Sequence, residues 1–138
     1  MSDVAITAAN VVHDINSITG TGTAGATITA GQLLYLDSGT STLKLCDSNA
    51  SQAAATCVGI ALHAALANQP IRYQTSGDIT IGGTLTVGGI YVASATAGGL
   101  APVADLATGM YTTVVIIGRT SAIGTIVLAS PSTLVAVP

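Results

Sequence analysis

The chain of 138 residues has no glutamate, no tryptophan and no phenylalanine, and only three basic residues. Each absence excludes something. Without glutamate, the acidic residues are six aspartates (Asp3, Asp14, Asp37, Asp47, Asp78, Asp105), which favour turns and caps over helix interiors. Lys44, Arg72 and Arg119 carry all the positive charge against a formal net charge of −3, so no basic stripe can neutralise a phosphate backbone and nucleic acid is not an expected partner. Charged residues make up 7% and apolar ones 49%, a balance that excludes the disordered class. No unbroken apolar run reaches the ~18 residues of a membrane span, because Val114 to Ile117 is stopped by Gly118 and Arg119. Met1-Ser2-Asp3 has no positive n-region, so no signal peptide is expected and the chain reads as made in the cytosol. The sequon Asn49-Ala50-Ser51 is then a chance match.

What is present says β. The 16 glycines punctuate runs rich in Thr, Val and Ile, and the length suits one domain. The expected fold is all-β: a compact β-barrel or sandwich of short strands, with an extended N-terminal arm and at most one or two short helical turns. Strands are expected at Gln32 to Asp37, Leu43 to Cys46, Cys57 to Leu62, Ile71 to Gln74, Asp78 to Ile81, Leu85 to Val87, Ile90 to Ala93, Leu100 to Val103, Tyr111 to Ile117 and Thr125 to Leu128. Ala61 to Asn68 and Ser51 to Ala55 are the two candidate helical stretches. Residues 1–25 read as an arm and a flexible, glycine-punctuated connector, and 26–138 as the β-domain. Val4 to Val12 serves equally as an arm that adds to a neighbour's sheet or as an edge strand of its own domain. A degenerate repeat is visible when TITAGQLLYL (27–36) is laid on TLTVGGIYVA (84–93), at an offset of 57 residues. It suggests two similar halves, 27–81 and 84–130, that close on each other.

Motifs for chemistry are weak. Gly20 to Gly25 spells GxGxxG, but a strand-like segment follows it where a dinucleotide site needs a helix, so it reads as a hinge. Cys46 and Cys57 lack the partners of a zinc site. They are expected as reduced, buried hydrophobes, although their places at the ends of neighbouring strands leave a disulfide open. His13 and His63 have no nucleophile in an activated context, and the aspartates are scattered, so neither catalysis nor a cofactor is expected. Tyr35, Tyr73, Tyr91 and Tyr111 fall at strand positions, where they either pack half-buried or form a sugar-stacking platform.

The succession ITAANVV, GTAGATITAGQLLYLDS (22–38), CVGIALHAALANQPIRYQTSGDI (57–79), LTVGGIYVASATAGGLAP (85–102) and ADLATGMYTTVVIIGRT resembles the small phage capsid decoration, cement or head-fibre proteins. The resemblance runs through most of the chain in order, and departs from the family at His63 to Asn68, where relatives often carry an acidic residue and a glycine. It implies a β-domain bound to the outside of an icosahedral head, partnered by the major capsid protein and by itself as a homotrimer, with no enzymatic activity. Ile6, Val11, Val12, His13, His63 and Leu66 are then the candidate contact residues. The alternative function is a carbohydrate- or receptor-binding fibre module.

Overall fold

The computed structural model describes residues 3–49, 52–105 and 111–128. The chain is all-β, as its composition implies: among the described residues ten strands form one continuous antiparallel sheet. In chain order they are β1 (Val12–His13), β2 (Ile18–Thr23), β3 (Leu33–Asp37), β4 (Thr42–Leu45), β5 (Gly59–Ala61), β6 (Pro70–Thr80), β7 (Ile90–Ala93), β8 (Leu100–Pro102), β9 (Val114–Gly118) and β10 (Ile123–Ile126). One helical turn, Gln52–Ala55, and two 3-10 turns, Ala8–Asn10 and Val103–Asp105, complete the described elements.

The long strand β6 organises the molecule. Its first half pairs with β2 on one edge and β5 on the other; its second half pairs with β1 and β10. The turning point is Gly77, at φ +89°, where a Cβ would run into the Asn16 carbonyl and approach Ser17 Cα to 2.9 Å, so a side chain is excluded. The two stretches expected as separate strands, Ile71 to Gln74 and Asp78 to Ile81, are thus one bent strand.

Each half of β6 belongs to its own curled sheet. In the first, the order β2-β6-β5-β3-β4 closes on itself, because Ala24 bridges Leu43 in parallel and Gly25 N–H donates to the Leu43 carbonyl at 2.7 Å. Ala24, Ile28, Leu34, Leu43, Ala61, Ala65 and Ile71 fill this small barrel. The second curled sheet runs β6-β10-β9-β7-β8 and encloses Ile81, Leu85, Tyr91, Ala93, Leu100, Ile116 and Ile126.

The pairings of the two halves superpose residue for residue. Leu33 faces Ile60 and Leu34 faces Gly59 in the first; Ile90 faces Ile117 and Tyr91 faces Ile116 in the second. Both 90 − 33 and 117 − 60 equal 57. The hairpins β3–β4 and β7–β8 follow the same spacing, with Leu34 to Leu36 on Leu45 to Leu43 and Tyr91 to Ala93 on Pro102 to Leu100. Even the turns agree, since Gly31 and Gly88 both take positive φ, as do Ser41 and Gly98. Among these strand pairings the last hairpin differs. Ile60 faces Gln74 but Ile117 faces Thr125, so the β9–β10 connection is six residues shorter (57 against 125 − 74 = 51).

The N-terminal residues differ from a free arm and flexible connector. Asp3 accepts a hydrogen bond from Ser94 Oγ at 2.7 Å, Val4 N–H donates to Leu100 O, and Thr7 N–H donates to Gly82 O. Gly82 and Leu100 are the second-half counterparts of Gly25 and Leu43, the pair that seals the first barrel. In the second, residues 4–7 are wedged into the same seam. Val11 is buried, and Val4 and Ile6 pack against the same core. The glycines expected to loosen the connector lie in β2 instead, because the narrow barrel leaves no room for side chains: a Cβ on Gly20 would stand 2.9 Å from the Tyr73 ring, and one on Gly22 2.8 Å from Leu43 Cδ1.

Other expectations also shift. Ala61 to Asn68 is not helical: Ala61 ends β5, and Ala65 exchanges two backbone hydrogen bonds with Ile28 at the barrel mouth. Leu85 to Val87 is not a strand; Leu85 is buried while its N–H donates to Ser121 O. Cys46 and Cys57, expected reduced, are joined in a disulfide, with Cα atoms 6.0 Å apart. The pairing of β3 with both β4 and β5 sets the two cysteines side by side, and Asp47 N–H closes the intervening turn on Ala54 O. Ser51, part of the expected Ser51 to Ala55 turn, lies outside the described residues, as do residues 106–110 and 129–130 of the second half.

Candidate interaction surface

The six candidate contact residues are not brought together. Ile6 and Val11 meet over Gly31, inside the fold. Val12 and His13 are exposed on β1, along one edge of β6. On its other edge, beside Arg72, lies the long β5–β6 connection with His63 and Leu66. His63 Nε2 accepts the Arg72 N–H at 3.0 Å, so the proton of the neutral ring is on Nδ1, which donates to Ala64 O at 2.9 Å. This histidine ties its own loop to β6.

Among the described residues no group of three His, Cys or Asp could hold a metal ion. Three of the four tyrosines pack: Tyr91 is buried with its hydroxyl accepting Thr86 N–H, Tyr73 packs in the first barrel, and Tyr35 packs on the main core. A cleft of about 240 Å³ lies between residues 3–8 and the turns at 29–32 and 96–99, and it is lined mostly by backbone and small side chains.

Among the described residues the one buried charge, Asp78, is structural. Asp78 accepts from Thr125 Oγ1 at 2.7 Å and pairs with Arg119, while its N–H donates to Asn16 Oδ1. The Thr125 hydroxyl, helped by the Arg119 charge against the opposing effect of burial, holds the carboxyl below its ordinary value of 3.8. A depressed folded-state pKa gives stability that is present above the unfolded value and lost as the pH falls through the folded one. Asp78→Asn, which keeps the shape but removes the charge facing Arg119, is therefore expected to cost about 1–2 kcal/mol at neutral pH, with the penalty shrinking below the ordinary aspartate range. Urea unfolding of both proteins at neutral and acidic pH measures this. At the β3–β4 turn, Lys44 Nζ lies 2.7 Å from Asp37, whose carboxyl is lowered by that hydrogen bond.

Several large apolar side chains are exposed. Val12, Ile15 and Ile18 stand in solvent along the β1–β2 edge, with Ile15 wholly exposed. A second group, Val87, Ile90, Val103 and Ile117, lies on the outside of the second barrel. Of the first group only Val12 was among the candidate contact residues; Ile15, Ile18 and the whole second group were not. The second was within reach of the repeat, because the same alignment that pairs Thr27 with Thr84 pairs Leu33 with Ile90. Comparison with protein-family models, with curated proteins and with solved structures yields no match.

Proposed function

We propose that the protein is a structural decoration protein of a phage head, attached to the outer surface of the shell and stabilising its lattice. The observation that carries this reading is the exposed apolar ridge Val12, Ile15 and Ile18, with His13 beside it, on a domain otherwise nearly free of charge. A side chain such as Ile15, fully in water, is stabilised only when something covers it, and burying one aliphatic side chain contributes about 1.5–3 kcal/mol. Three such contacts per subunit are modest, but repetition over a lattice multiplies them through effective concentration. A ligand that binds the mature lattice alone holds it by mass action against the packaged genome. The major capsid protein is the partner, and the subunit acts with copies of itself, as trimers by the resemblance; no cofactor and no reaction enter.

The test is co-sedimentation of the purified protein with empty heads of the parent phage. Wild type is expected to pellet with the heads, and the double variant Ile15→Asp/Ile18→Asp to lose about a hundredfold or more in affinity, the equivalent of two lost aliphatic contacts. Wild type remaining in the supernatant overturns the proposal, and so does undiminished binding of the variant.

A further inference from the structure

The internal repeat identifies what one face of the molecule is for. On the outside of the first barrel, Ala30, Leu33, Cys46, Ile60 and Leu62 all pack into the main core, where the second half covers them. Their counterparts 57 residues later are Val87, Ile90, Val103, Ile117 and Arg119. All five are exposed. The contrast is sharpest on the paired strands, where Leu33 and Ile60 are 0% exposed and Ile90 and Ile117 are 41% and 39%. The same backbone, presenting the same kind of side chains, is closed in one half and open in the other.

The element that covers the first face is partly the β7–β8 turn. Gly98 O accepts Leu33 N–H at 3.0 Å, Gly98 N–H donates to Cys46 O at 2.7 Å, and Ser94 O accepts Ser48 N–H. The equivalent turn in the first half is the tip of β3–β4, residues 37–42, with Ser41 in the place of Gly98 and in the same left-handed conformation. Residues 38–41 are exposed, and Leu36, at the position of the buried Ala93, is 53% exposed. So the chain presents, at one end, an uncovered copy of the buried face and, at the other, an unused copy of the turn that covers it.

We propose that the outer face of the second barrel, formed by Val87, Ile90, Val103 and Ile117, binds the β3–β4 hairpin of a second copy of this chain, head to tail, repeating between subunits the joint that holds the two halves together. Such a contact is heterologous: each subunit offers a different surface to each neighbour, and rings form where the rotation closes. The proposal stands apart from shell binding, which uses the β1–β2 ridge.

Sedimentation equilibrium over rising concentration tests it. The wild-type mass is expected to rise above that of the monomer, while Ile117→Lys and Leu36→Asp each remain monomeric. Each variant retains the face that the other has lost, so an equimolar mixture is expected to form a one-to-one pair and nothing larger. Circular dichroism melting confirms that the variants fold; should Ile117→Lys melt early, Ile90→Lys alters the same face. A wild type that is monomeric throughout, a single variant that still associates, or a mixture that stays monomeric overturns the proposal. Since the assay contains no heads, its failure leaves the co-sedimentation result standing on its own.

Discussion

Ile60→Ala is expected to lower the unfolding free energy by about 3–4 kcal/mol, and Ile117→Ala, at the equivalent position of the second half, by less than about 1 kcal/mol. Both remove the same atoms from the same point of a five-strand unit. The difference lies in what covers them. Ile60 is wholly buried between Leu33, its cross-strand partner, and the core of the second half, so truncation leaves a cavity whose lining cannot collapse. Ile117 already meets water and leaves no cavity. Urea denaturation of the two variants, followed by circular dichroism, reads both values, and equal losses would contradict the placement of the joint.

Reducing the Cys46–Cys57 disulfide, or replacing both cysteines by serine, is expected to cost about 3 kcal/mol, from the entropy of closing so short a loop in the unfolded chain. The cysteines are 11 residues apart, and the bond ties the end of β4 to the approach to β5. Val103 and Val114 hold the same positions in the second half, which therefore has no such tie. Thermal unfolding with and without a reductant is expected to show the loss in wild type and none in the serine variant. A bond of this kind forms in oxidising surroundings, so a chain folding in a reducing cytosol acquires it late.

The sequence made the class of fold legible for reasons that lie in single residue types: no glutamate, many glycines, and β-branched runs of four to six residues. Ile90 to Ala93 was readable to the residue because Gly88 and Gly89 precede it and Ser94 follows. The repeat was readable as well, through Thr-x-Thr-x-Gly, because the Gly of that string supplies the positive φ before β3 and β7. β2 was hidden. Its glycines resemble a hinge, and only the crowding by Tyr73 and Leu43 explains them. Ala61 to Asn68 has helical composition, but the Ile28–Ala65 exchange of hydrogen bonds outweighs that weak preference. The N-terminal segment looked unattached because its anchors, Ser94, Leu100 and Gly82, are far away in the chain.

The exposed apolar faces were the least legible part. A row of aliphatics at alternate strand positions reads the same whether it is covered or bare, and Leu33 with Ile60 differs from Ile90 with Ile117 only through its tertiary surroundings. Hydroxyl-radical footprinting of the dilute and the concentrated protein tests that difference most directly. Ile90 and Ile117 are expected to be labelled strongly in dilute solution and to become protected on concentration, with Leu33 and Ile60 protected throughout. Labelling of Ile90 and Ile117 that is unchanged by concentration, or of Leu33 and Ile60 in the dilute sample, would contradict the account.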